Sequence, residues 1–346
     1  MTDKIKFVLS AMLFLALLAA CTRQRKEMPD SECFRTDLLM KTTPVKNQGA
    51  STLCWAYAML ATIETEHIMR GDSLNLSVTY IADRLLEEQV ERVYLTRGKA
   101  RITTRGMAAD VLRLMENYGA MPYDTWHDDA DYNLLTRKLQ TVARAAAVHK
   151  TGLRDLLCDA EQIMTSHIGP RKGSVYMLGS EYTPLEFAHS LFRSDEYEAL
   201  TSFNHHHFGE RMALEVPDNR YGNTMLNVPL DTLEARVVKA LRSGHPICWE
   251  GDISSPGFSF EKGIAVLADE TKAVTQESRQ QAFETMRTTD DHCMAIVGIA
   301  YDDSMNRYFI CKNSYGTANP YGGFMYMSLG YFRMNTLAVW YSRNDS

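Results

Sequence analysis

The chain has 346 residues, 45% hydrophobic and 23% charged, an ordinary globular composition long enough for one large domain or two joined lobes. A formal net charge of −6, with no long Lys/Arg run, excludes the basic footprint of a nucleic-acid binder. The cysteines at 21, 33, 54, 158, 248, 293 and 311 lack C-x-x-C spacing, so neither a disulfide framework nor a zinc site is written here.

At the N-terminus, Lys4 and Lys6 precede an apolar run from Phe7 to Ala20. At about 14 residues the run is too short to span a bilayer and reads as the core of a signal peptide. It ends in "LAAC", which resembles a bacterial lipoprotein box and implies cleavage before Cys21 and acylation of that cysteine, giving several acyl tails and a stable anchor. The expected organisation is a lipoprotein signal peptide over 1–20, a lipidated tether over 21–36 and a folded domain over 37–346. "TRQRKE" after Cys21 is basic, so the expected location is the bacterial cell envelope, anchored to the outer membrane and facing the periplasm.

Next comes "PVKNQGASTLCWAYAML", which places Cys54 in the first turn of a helix of about four turns that ends near Arg70 and Gly71. A second helix is expected from a Ser77 cap to about Tyr94, and a third in "GMAADVLRLMENYG", closed by Gly119. "TPLEFAHSLF" reads as a short helix with its proline in the first turn, and "PLDTLEARVVKALRSG" as an amphipathic helix. Strand signals come late: "PICWEGDI", "CMAIVGIAYDD", "RYFICKNSYG" and "GGFMYMSL" are short apolar or alternating runs between turn residues. Helices first and antiparallel strands afterwards argue for an α+β fold.

A cysteine nucleophile needs a base, a group that orients the base, and donors for an oxyanion. Cys54 sits at a helix N-terminus, where the dipole favours a thiolate. His292, directly before an apolar run, is the candidate base. Asn313 in "YFICKNSYG" is placed to accept from the imidazole, and Gln48, six residues before the cysteine, can join the Cys54 N–H as an oxyanion donor.

"TPVKNQG" with "CWAYA", then "DHCMAIVGIAYD", then "KNSYG" resemble, in this order, the nucleophile, histidine and asparagine segments of the papain-family cysteine peptidases. The Cys54-to-His292 separation is about a hundred residues longer than compact members need. The intervening "YTPLEFAHSL", "ALTSFNHHHFG", "EVPDNRY" and "RQQAFETMRTTDDHCM" resemble the bleomycin hydrolase/aminopeptidase C branch. The resemblance implies a helical left lobe and an antiparallel β-rich right lobe, a large helical insertion, and Gly106 at the substrate-backbone position. It also implies an aminopeptidase-like cysteine peptidase acting on peptides with no cofactor. A homo-oligomer is left open. In that branch a C-terminal tail receives the substrate's amino group. Here "GGFMYMSLGYFRMNTLAVWYSR" reads as strands of the right lobe, so weak free-amine selectivity is expected unless the insertion supplies a barrier.

The sequence departs from the family before the nucleophile, where Leu53 precedes Cys54 and the glycine usual just upstream is absent, at Arg105, where a glycine paired with Gly106 is common, and at Tyr315, where tryptophan is usual. These motivate an alternative, a lipid-anchored peptide-binding pseudopeptidase. A cell-wall Cys-His amidase is a further rival, disfavoured by spacing. Cys248 and Cys293 read as packed core residues, Asp290 and Asp291 as turn formers. "NHHHF" (His205–His207) reads as structural or cleft-lining, with no acidic partner at metal-ligand spacing.

Overall fold

The computed structural model describes residues 34–343 apart from Leu178. The expected signal peptide and Cys21 lie outside the described residues. In chain order the elements are β1 (Arg35–Leu39), α1 (Cys54–Met69), α2 (Val78–Leu95), α3 (Ala108–Tyr118), α4 (Tyr132–His149), α5 (Leu153–Ile168), β2 (Val175–Met177), β3 (Ser180–Tyr182) and α6 (Pro184–Leu191). There follow β4 (Tyr197–Thr201), β5 (Arg211–Ala213), β6 (Thr224–Asn227), α7 (Leu230–Arg242), β7 (Ile247–Gly251), β8 (Phe258–Ser259) and β9 (Ile264–Ala265). The chain continues with α8 (Gln276–Glu284), β10 (His292–Tyr301), β11 (Arg307–Lys312), β12 (Phe324–Ser328), α9 (Leu329–Asn335) and β13 (Thr336–Ser342). No helix among the described residues is long and apolar enough to cross a membrane. Cys54, Cys158, Cys248, Cys293 and Cys311 are all free thiols.

The helix starts follow local chemistry. Ser77 caps α2, its hydroxyl accepting from Tyr80 N at 3.1 Å, and Asp131 caps α4 through Asn133 N and Leu134 N. Thr183 and Glu186 form a capping box around Pro184 at the start of α6. α1 differs. Its cap residue, Leu53, supplies no side-chain acceptor and is wholly buried. The helix is also buried on nearly all sides, Cys54, Trp55, Met59, Leu60, Ile63 and even Glu64 being inside, because it runs between the two lobes.

Helices α1 to α6 build one core, around Leu85, Val111, Leu135 and Leu156; the strands and α7 build the other, around Trp249, Ile296, Phe309 and Phe332. The main sheet has the order β5-β6-β4-β13-β7-β10-β11-β12-β9-β8. Long β10 is its spine: its first half pairs antiparallel with β7 and its second half with β1, while β11 runs along the other edge. The ladder shifts between Ile296 and Gly298. Gly298 lets β1 approach there, since a Cβ would stand 2.4 Å from Leu38 O. The expectation that residues after Phe324 form strands is met by β12 and β13, with α9 inserted between them. β13 pairs with β7 so that Thr336 lies opposite Gly251 and Trp340 opposite Cys248. His292 is also opposite Gly251, so β13 starts at the level of His292 and carries the chain away from it.

Candidate active site

The fold brings Cys54, His292, Asn313 and Gln48 together. Cys54 is the first residue of α1 and 8% exposed; His292 opens β10 and is 2% exposed; Asn313 follows the last residue of β11. The β10–β11 hairpin therefore sets imidazole and carboxamide side by side, and Asn313 Oδ1 lies 2.8 Å from His292 Nε2. The same oxygen accepts Ser314 N at 2.8 Å, which fixes the carboxamide with its oxygen toward the ring.

Three groups set the state of the thiol. The Cys293 thiol donates to Cys54 Sγ and is the largest influence drawing the Cys54 pKa well below the ordinary thiol range. Burial opposes this, and a hydrogen bond and charge attraction from His292 reinforce it. On His292 burial disfavours the imidazolium, but the Cys54 thiolate and Asn313 outweigh it and raise the pKa above the usual histidine value. The two shifts favour a thiolate–imidazolium pair.

Gln48 ties the two lobes at this level. Its backbone N–H donates to Ser314 O at 2.8 Å, its Nε2 donates to Ser51 O at 2.7 Å, and Ser314 Oγ donates to its Oε1 at 2.6 Å. These bonds orient the carboxamide with one Nε2 hydrogen unused.

The family departures have structural accounts. Leu53 fills a closed core position. Tyr315 lies with its ring centroid 4.8 Å from that of His292 and its hydroxyl 3.3 Å from Nδ1, packed edge-on by Phe260. Arg105 reaches away from Gly106: Nε donates to Asp218 Oδ1 at 2.9 Å and Nη2 to the Asp290 carbonyl at 2.6 Å. Gly106 is seated against the Trp55 ring, and Trp55 Nε1 donates to Thr104 O at 2.8 Å.

Several neighbours were not legible in the sequence. Cys293 is buried as expected, but its thiol is directed at Cys54. Asp291 serves a turn, accepting Ile253 N at 2.8 Å; burial pushes its pKa up to about 6. Glu250 feels the charge of the thiol though no motif announces it, and Asp290, expected only as a turn former, is hydrogen-bonded to Glu250. Away from the cleft, the expectation that His205 and His206 have no acidic partner is corrected. The chain leaving β5 brings Glu215 back to the turn that leads into it, 3.1 Å from His205 Nε2 and 2.6 Å from His206 Nε2. All three residues are exposed. The contact closes across the two ends of short β5 rather than through sequence spacing.

Comparison with known proteins agrees with this arrangement. A profile of the Peptidase C1-like family matches residues 171–344, which contain His292 and Asn313. Aminopeptidase E of Lactobacillus helveticus is 22% identical over 95% of this chain and 87% of its own. The mitochondrial cysteine proteinase 1 of Saccharomyces cerevisiae is 24% identical over 91% of this chain and 77% of its own. The crystal structure of PepW from Lactobacillus rhamnosis superposes with a TM-score of 0.68 at 18% identity, over 89% of this chain and 82% of its own, and so shares the fold. With a papain-like two-lobe α+β fold that seats a buried cysteine against a histidine–asparagine pair, the chain belongs to the Peptidase C1-like family and is a cysteine-type peptidase.

Proposed function

We propose that the protein hydrolyses peptide bonds, with aminopeptidase-like action, through Cys54, His292, Asn313 and Gln48. The Cys54 thiolate attacks the carbonyl carbon, and the Gln48 side-chain N–H and the Cys54 backbone N–H hold the oxyanion. His292 gives its proton to the leaving amine and then takes one from the water that releases the acyl group. Asn313 holds the ring for both transfers, and the Gly106 backbone is assigned to hold the substrate strand. The observation that carries the reading is the 2.8 Å contact of His292 Nε2 with Asn313 Oδ1, which leaves Nδ1 as the nitrogen for the lowered-pKa thiol. The aminopeptidase character rests on relatives such as aminopeptidase E.

The test is hydrolysis of fluorogenic peptides by residues 22–346. Cys54→Ala should abolish it with the fold intact, and Asn313→Ala should retain more activity than His292→Ala, since orientation matters less than the proton transfer itself. Equal rates for the wild type and Cys54→Ala would refute the assignment.

We also propose acylation at Cys21 and a periplasm-facing outer-membrane location, supported by "LAAC" and the basic "TRQRKE" that follows. Cys21→Ser should move the protein from the membrane fraction to the soluble fraction or leave it uncleaved. Digestion by protease added to intact cells would refute the periplasmic orientation.

A further inference from the structure

Along β7 the side chains alternate. Ile247 and Trp249 enter the core of the right lobe, whereas Cys248 is part of the left-lobe core, and Glu250 follows Cys248 on that face. In the ladder with β10, Glu250 stands directly opposite Cys293, whose thiol donates to Cys54. The glutamate is therefore one side chain away from the nucleophile, on the face of the sheet turned toward α1.

Glu250 is 0% exposed; among the described residues no N–H or hydroxyl donor meets either of its carboxyl oxygens, and its hydrogen-bonding neighbour is another carboxyl, that of Asp290. A buried carboxyl without donors is costly and unusual. Elsewhere the same fold satisfies such groups. Glu64, equally buried, accepts from Thr43 Oγ1, Lys46 Nζ and Leu76 N, and Glu66 accepts from Arg70 and is bonded to His245.

Two further carboxyls face the same spot. Asp290, itself nine-tenths buried, leaves Oδ2 without a donor, and Asp218 is held beside it by Arg105. The turn that carries Asp218 is rigid: Asn219 Nδ2 donates to Leu214 O and Asn223 O, both at 3.0 Å. Arg220 of the same turn donates to Arg105 O, next to Gly106. Arg105 and Arg220 are the cations facing the group, yet the Arg105 donors go to Asp218 and a backbone carbonyl and the Arg220 donor to the Arg105 carbonyl, not to Glu250.

We infer that Glu250, with Asp290 and Asp218, forms a cation-accepting subsite beside Cys54 that takes a substrate ammonium, either the peptide's free α-amino group or a lysine side chain. With no cation present, burial first and neighbouring carboxylates second hold protons in the group: burial and Asp290 keep Glu250 well above the usual carboxyl range, and burial and Asp218 push Asp290 up to about 7, against the bond it shares with Glu250. An ammonium brings up to three N–H donors to oxygens that lack them and lets the carboxyl protons leave to solvent. The Asp218 turn comes from the segment between Cys54 and His292, so the subsite answers the sequence expectation that any free-amine barrier must come from that insertion. The inference rests on the peptidase reading and adds the charge of the substrate.

The experiment compares kcat/KM within two pairs of fluorogenic amides on the lipid-free protein: free-amine against acetylated leucyl amide, and acetyl-Lys-Leu against acetyl-Leu-Leu amide. The wild type should prefer the cationic member of one pair by at least thirtyfold. The first pair identifies the α-amino group as ligand and the second a lysine side chain. Glu250→Gln, of the same shape, should cut that preference at least tenfold, mostly through KM. Asp218→Asn, on the outer turn, is read the same way should Glu250→Gln fail to fold. A preference below threefold in both pairs, or one unchanged in both variants, overturns the inference while leaving the peptidase reading intact. If no amide is cut and a peptidyl epoxide fails to label Cys54, the peptidase reading falls and this inference with it.

Discussion

Gly106→Ala tests how tightly the glycine loop is fitted to the nucleophile helix. A Cβ at position 106 would lie 2.9 Å from Trp55 Cε2, 3.1 Å from Trp55 Cζ2 and 3.0 Å from Asp110 Oδ2. Neither neighbour can yield freely. Trp55 is 1% exposed and pinned by its bond to Thr104 O. Asp110 is wholly buried and accepts Met107 N at 3.0 Å at the start of α3. Overpacking of this kind costs about 1–3 kcal/mol. Removing a glycine stiffens the unfolded chain and returns about 0.4–1 kcal/mol, leaving a net loss of roughly 1–2 kcal/mol. Trp55 directly follows Cys54, so a displaced ring moves the first turn of α1, and kcat/KM should fall at least tenfold. Urea unfolding gives the first quantity and hydrolysis of a neutral capped peptide the second. If Gly106→Ala is as stable as the wild type, the packing argument is wrong. A raised KM with unchanged stability would assign the glycine to the substrate alone.

Removing the Cys293 thiol donor should raise the Cys54 pKa, so at acidic pH less thiolate is present; Cys293→Ala should shift the pH midpoint of Cys54 alkylation upward, while Cys293→Ser, still a donor, shifts it less. An unmoved midpoint in Cys293→Ala would show that His292 alone sets the thiolate. Glu64→Leu leaves the Lys46 ammonium, 2.7 Å away and 13% exposed, and the Leu76 N–H without their acceptor; breaking such a pair should cost about 3 kcal/mol in urea unfolding, and a loss below about 1 kcal/mol would refute the account.

The parts of the site that the sequence disclosed are those where one short segment carries both structure and chemistry. Cys54 opens a helix and His292 opens a strand, so each motif names its own element. Ser77 and Thr183 likewise announce their helices because a cap is a local bond. α4 and α5 escaped notice because each buries only a narrow stripe, Leu135, Leu139, Ala143 and Ala146 in one and Leu156, Ala160, Met164 and Ile168 in the other, within otherwise polar surroundings. The carboxyl group around Glu250 was invisible for a different reason. Glu250, Asp290 and Asp218 meet only through the β7–β10 ladder and the Arg105 bridge, and no spacing encodes a meeting of three distant segments. Glu215 reached His205 and His206 in the same way, through a turn.

The place of β13 bears on how the chain must be made. This strand lies between β4 and β7, both of which leave the ribosome long before it. Until Thr336–Ser342 emerges, those two strands have no partner to join them, and the floor beneath Glu250 and Trp249 has a gap. The joining of the two halves of the sheet therefore follows synthesis of the last strand instead of accompanying it.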